Sequence, residues 1–267
     1  MQAPERNYKL IIKSKTMSTI KNLLVYGSIL ISNLIAAQST QTRKLSSFVH
    51  LRIGGSFDVI MDRGSEESAK IVAEGTSPDN IITDVKGNAL ELYLKEGNYR
   101  NIKIKVYLTY KNLEEIDKSG SGNLTCQSDL AASGFMLNAS GSGNTTLEKK
   151  IEARQITIKK SGSGNLKFDA LETEEAELTF SGSGNIEING GHAKKQTVHL
   201  SGSGSISAFG LKSNDCAASI SGSGNIEVSV TESLEGVIAG SGSIHYQGDA
   251  QVKNVGISGS GRIVKKT

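Results

Sequence analysis

The sequence runs to 267 residues with 30 glycines, two prolines and no tryptophan. So much glycine beside so little proline excludes a collagen-like or polyproline chain, and a chain of this length buries a core without crosslinks. The formal charge is +3, but residues 1–37 hold Arg6, Lys9, Lys13, Lys15 and Lys21 against Glu5, leaving 25 basic and 26 acidic residues in the remainder, a balance that gives no general electrostatic case for nucleic acid or an anionic membrane.

The first element expected is an export leader. Lys21 precedes the fifteen-residue apolar stretch Leu23–Ala37, too short for a bilayer span of about 20 residues, and small residues close it at Ala36 and Ala37. This pattern predicts a signal peptide over residues 1–37, cleaved after Ala37, with Met1 or Met17 as the start. No cysteine stands near the cleavage site for a lipid anchor, so the protein is expected in the periplasm or cell envelope, or secreted, with no membrane insertion once the leader is removed. Residues 38–45 read as a linker.

Residues 46–118 alternate apolar and polar side chains, as in Ala89–Leu94 and Ile102–Leu108, a period of two that marks strands. The 67 residues from Arg52 to Ser119 match about three irregular coils, and Ile53–Val59 resembles a degenerate copy of the repeat that begins at Ser119. This part is expected to cap the stack, because bare strand edges invite aggregation.

From Ser119 one motif recurs. SGSGN starts at Ser119, Ser140, Ser161, Ser181 and Ser221, SGSGS at Ser201, AGSGS at Ala239 and SGSGR at Ser258, with spacings of 21, 21, 20, 20, 20, 18 and 19. In each copy apolar residues and glycine share one parity, as in Leu178, Phe180, Gly182, Gly184, Ile186 and Ile188, while Thr179, Ser181, Ser183, Asn185 and Glu187 share the other. One strand-bearing coil per ~20 residues predicts an all-β, right-handed parallel β-helix continuous with the preceding part as one domain. Both glycines are expected to face inward at a corner, and Asn189–Gln196 to be a solvent-facing turn that tolerates insertion at Gly190–Gly191. Lys118 and Lys160 take the inward position that Phe180, Leu200 and Ile220 fill elsewhere, consistent with a local change of parity or with stems reaching an open corner.

The opening Phe48–Gly64 (FVHLRIGGSFDVIMDRG), the SGSGN array and the ending Ser241–Ile263 (SGSIHYQGDAQVKNVGISGSGRI) together resemble the head GIN domain family of putative auto-transporter adhesins, over about residues 45–264. The resemblance implies a bacterial envelope protein with a β-helix-like fold and no catalytic residues. The chain ends one short strand after the last repeat, so no outer-membrane barrel of its own is expected.

Little in the residues points to catalysis. The Asp that glycine-rich calcium coils need is replaced by Asn, Ser or Arg, so neither a metal nor a cofactor is expected. Cys126 and Cys216 fall in the first and fifth coils, ~19 Å apart along the stack, beyond disulfide reach. His50, His192, His199 and His245 are scattered. The run Glu172–Glu177 supports the alternative of a polysaccharide-active lyase or hydrolase, though a run within one turn reads more simply as a solvated loop. Lys167 and Glu187 are one coil apart and should pair. The leading expectation is an exported, non-catalytic, adhesin-like binding or scaffolding module. Its candidate face is two outward columns: Ser121, Ser142, Ser163, Ser183, Ser203, Ser223 and Ser241, with Asn123, Asn144, Asn165, Asn185 and Asn225. A glycan or another envelope protein would be the partner.

Overall fold

The computed structural model describes residues 38–267; the expected leader lies outside the described residues. Strand makes up 72% of the structure, wound into a β-solenoid of about eight turns. Neighbouring coils pair in parallel and in register. Between Leu166–Gly182 and Asn185–Gly202 the partners run from Leu166–Ile186 to Phe168–Ile188, from Ala170–Gly190 to Thr173–Ala193, and from Glu175–Lys195 to Gly182–Gly202. Inward side chains therefore stack on their copies. Leu166, Ile186, Ile206, Ile226 and Ile244 form one buried column, and Phe180, Leu200, Ile220 and Ile238 another. The period of two in the sequence sets this pattern, since a one-residue slip would turn every apolar side chain to solvent.

The glycine pair at each corner does two different things. Sequence parity put both inside; the structure puts only the second there. Gly202, like its copies, has positive φ (+123°) and is half-buried, so it supplies the bend. Gly204 is buried, and a Cβ on it would drive into the Gly184 carbonyl and the Phe180 ring. The coils can close to hydrogen-bonding distance at this corner because neither residue has a side chain. There Ser203 N and Gly204 N donate to the Gly182 carbonyl at 3.2 and 3.1 Å.

The segments expected as solvent-facing turns are ladder-paired instead. Ala170, Leu171 and Glu172 partner Gly190, Gly191 and His192, and Gly191 (φ +113°) presses on the Leu171 carbonyl. An insertion at Gly190–Gly191 would break this middle run of pairing, so the tolerance expected of a free turn gives way to an expected loss of stability. The same segment ends in Gln196, which has inward parity and is fully buried between Ala176 and Cys216.

The N-terminal region departs from three successive coils. His50–Gly55 and Asp58–Arg63 form one coil, with its corner at Gly55, in register with Glu115–Gly120 and Leu124–Cys126. On its other side lie Ala89–Leu94 and Lys103–Tyr110, so stacking order differs from chain order. Antiparallel strands finish this end. Ile81–Lys86 pairs with Ala89–Leu94, Ser68–Glu74 with Lys103–Tyr110, and Ser39–Lys44 with Ser68–Glu74. The last strand lies in the stretch expected as a linker. Alternation reports which way a side chain points; it says nothing of strand direction or partner, and so it missed the order.

Candidate binding groove

The predicted columns both form at the glycine corner. Each Asn side chain serves the next coil. Asn123 Oδ1 accepts Asn144 N at 3.0 Å, Asn144 Oδ1 accepts Asn165 N at 2.9 Å, Asn165 Oδ1 accepts Asn185 N at 2.9 Å, and Asn185 Oδ1 accepts Ser205 N at 3.2 Å. Asn225 Oδ1 likewise accepts Ser243 N at 3.0 Å, and the ladder begins on Asp58, whose Oδ1 accepts Asn123 N and Nδ2. These carboxamides satisfy backbone donors left over where the strand turns. Ser121, Ser142, Ser163, Ser183, Ser203, Ser223 and Ser241 are exposed, and their hydroxyls have no side-chain hydrogen bond among the described residues.

A concave site lies two residues earlier in the coil, on the outer face that leads into the corner. It is a groove of about 650 Å³. One side is the outward column Arg52, Asp117, Asn138, Lys159 and Thr179; the other is Ser119, Ser140, Ser161 and Ser181, with Tyr93 at the end. The floor is formed by Ile53, Lys118, Ala139 and Lys160, whose side chains point to the solenoid interior. Tyr93 partners Gly54, which has no side chain, so the ring stands 38% exposed beside a hollow. Ser119 Oγ and Ser140 Oγ donate to the Ile53 and Lys118 carbonyls, which keeps this side low. Sequence reasoning singled out Lys118 and Lys160 but passed over Arg52, Tyr93, Asp117 and Lys159, because the out-of-order strand Ala89–Leu94 brings Tyr93 to the site. Gly54, a glycine at outward parity next to Arg52, was the one available signal of a hollow.

The charges along the groove are unequally matched. Arg52 reaches Glu91 at 4.0 Å and Asp117 at 3.7 Å, Lys86 holds Glu91 at 2.7 Å, and Asn138 Nδ2 donates to Asp117 at 2.7 Å. Lys159 has no acidic partner within ion-pair distance among the described residues. Beneath the floor, Lys118 and Lys160 are 3% and 4% exposed and face no acid. Parity is unbroken; the stems reach corner carbonyls, the second of the two arrangements that the sequence allows. Lys118 Nζ donates to the Gly143 carbonyl and Lys160 Nζ to that of Gly162, both at 3.1 Å. At Gly162 this ammonium replaces the pair of backbone donors that neighbouring corners receive from the next coil. Lys160 Nζ also lies 4.3 Å from the centre of the Phe180 ring. Burial depresses the pKa of both lysines, and for Lys160 the nearby Lys118 charge adds to the effect.

Among the described residues no reactive set converges elsewhere. Glu172 and Glu175 are strand residues that partner His192 and Lys195, and Lys194 bonds Glu174 at 2.9 Å. That bond lowers the Glu174 pKa, the wrong direction for a general acid. Among the described residues no cluster of His, Cys, Asp and Glu has the geometry of a metal site. Cys126 and Cys216 are buried free thiols, and burial pushes Cys216 up to about 12. Tyr110, on the inward parity of Ile104, Val106 and Leu108, is buried with its hydroxyl 3.4 Å from Cys126 Sγ. His199 is exposed and bonds Ser219, and Lys167 meets Glu187 at 3.1 Å as the coil spacing predicts.

The family model described as "Putative auto-transporter adhesin, head GIN domain" matches residues 47–166 and 136–250. The chain belongs to this family. A crystal structure of a protein described as a putative adhesin from Parabacteroides merdae is 24% identical, covers 87% of this chain and 98% of its own, and superposes with a TM-score of 0.83. A second so described, from Parabacteroides distasonis, is 23% identical with the same coverage and a TM-score of 0.81. A Parabacteroides distasonis protein described as a putative lipid binding protein is 27% identical, again over 87% and 98% of the two chains, with a TM-score of 0.76. No curated protein matches the sequence. The solenoid is thus a fold that this head GIN chain shares with these solved structures.

Proposed function

We propose that this head GIN protein is an exported, adhesin-like module that binds a component of a cell envelope without chemically changing it. Family membership supports an envelope-associated adhesive role, and no helix among the described residues is long and apolar enough to cross a membrane. The observation that carries the reading is the groove from Tyr93 to Thr179, a concavity of about 650 Å³ edged by hydrogen-bonding side chains and holding no nucleophile–base pair. The exposed Ser121–Ser241 column, one corner away, extends the polar contact surface. The Asn column supports it as structure, since those carboxamide oxygens are spent on backbone donors.

The test is retention of the purified protein on isolated bacterial envelopes, followed by analysis of what is released. Saturable binding with no soluble fragments fits the proposal. Release of shortened glycan, abolished by substituting Glu172, Glu174 and Glu175, would establish the rival polysaccharide-active enzyme instead.

A further inference from the structure

We infer that the groove binds an acidic polysaccharide, with a sugar ring against Tyr93 and carboxylates drawn to the Lys159 end. This deepens the adhesin-like reading and rests on it.

The first argument is charge. The two carboxylates beside the groove, Glu91 and Asp117, are already held by Lys86 and Arg52. Lys159 on the rim and Lys118 and Lys160 under the floor are left without any acid. Three unmatched lysines thus leave the sheet around Ala139, Lys159 outward and Lys118 and Lys160 inward, with the two inner ammonium groups at the Gly143 and Gly162 carbonyls of the corner. The two beneath the sheet are shielded from water, where a charge acts on its surroundings more strongly than at the surface. A neutral ligand would leave those charges uncompensated, whereas an anion lying at this end of the groove, where the outer face leads into the corner, would offset them.

The second argument is shape. The groove crosses the strands from Tyr93 through Gly54, Ser119, Ser140 and Ser161 to Ser181. Five inter-strand steps make this about 24 Å, long enough for several linked rings. Low serine side chains leave the trough open, while the guanidinium of Arg52, the carboxamide of Asn138 and the hydroxyl of Thr179 offer hydrogen bonds along one side. Tyr93 supplies a ring face at one end, which an apolar sugar face can cover. The strand backbones beneath are already paired to coils on both sides, so no edge is free for an extended peptide to add a strand.

The experiment is equilibrium binding of the full chain to polygalacturonate, to neutral dextran and to polyacrylate, which has carboxylates without rings. Polygalacturonate is expected to bind, more weakly as salt rises, with dextran at least tenfold weaker. Tyr93→Ala should weaken it about tenfold and Lys159→Glu more than tenfold, while His199→Ala, outside the groove, has no effect. Both groove positions are exposed, and unchanged melting temperatures would confirm folding. Lys160→Met, which fills the same interior space, should weaken binding severalfold. Equal binding of dextran, or indifference to both groove substitutions, would overturn the inference. So would polyacrylate binding as tight as polygalacturonate and insensitive to Tyr93→Ala. Envelope binding that persists without polygalacturonate binding would sink this inference and leave the adhesin-like reading standing; no binding to either would sink both.

Discussion

Gly204→Ala adds one methyl group at the tightest point of the solenoid. Its Cβ would overlap the Gly184 carbonyl and the Phe180 ring far inside van der Waals contact. A carbonyl in the ladder cannot rotate away, so the two coils must separate locally. The bonds from Ser203 N and Gly204 N to the Gly182 carbonyl would then be lost. Each such bond contributes about 1 kcal/mol, and overpacking adds about 1–3 kcal/mol. The expected destabilisation is about 3–5 kcal/mol, a fall in melting temperature of roughly 6–20 °C for a domain of this size. Gly190→Ala is the matched control: its Cβ would meet only the Asp169 carbonyl at 3.3 Å and Ala170 Cβ at 3.7 Å, and its φ is not positive. It should cost under about 1 kcal/mol. Thermal melts followed by circular dichroism compare the two. Equal melting temperatures would refute the claim that close approach of the coils is what requires glycine at this corner.

Four further outcomes are expected. The buried lysines give stability a pH dependence: their folded-state pKa values lie below the unfolded value, so the unfolded chain holds more protons and stability rises with pH from the depressed folded values up to about 10.5. A Lys118→Met/Lys160→Met double variant should therefore be more stable than the parent at pH 7 in urea melts, with an advantage that shrinks towards pH 10; a constant advantage would contradict this. Gln196 Nε2 is buried with no hydrogen-bond partner, so Gln196→Leu should stabilise by about 1 kcal/mol in the same melts. Asn165→Ala removes the acceptor for Asn185 N and should cost about 1 kcal/mol, whereas Ser163→Ala beside it should be within about 0.5 kcal/mol of neutral. Reductant should leave the melting temperature unchanged, and thiol reagents should label Cys216 only on unfolding, since it is buried and unpaired.

The sequence disclosed most where one coil copies another. The SGSGN spacing and the parity of Leu178–Ile188 give strand direction, register and core, because a repeated coil has only one way to stack its apolar columns. Lys167 and Glu187 pair for the same reason. Where the copy fails, so does the reading. Asp58 starts the Asn ladder without being Asn, and Ala89–Leu94 stacks outside a coil that precedes it in the chain. Gly190–Gly191 looks like a turn because it is polar and glycine-rich, yet its glycines serve close approach in a paired run. The groove was illegible for a related reason. Arg52, Tyr93, Asp117 and Lys159 come from four segments, and only the stacking order makes them neighbours. The Ser and Asn columns were legible, but parity could not reveal that the Asn oxygens are already occupied by backbone donors.

The central claim is the in-register parallel stack that builds both the corner and the groove, and crosslinking across one period tests it most directly. Thr179 and His199 are register partners on adjacent coils, with outward side chains. Paired strands lie about 4.8 Å apart, within the Cα separation that a disulfide spans. A Thr179→Cys/His199→Cys variant should oxidise to an intramolecular disulfide in the folded protein, while Thr179→Cys/Glu187→Cys, within one coil and across its corner, should not. A disulfide in the second variant and none in the first would contradict the stack and everything built on it.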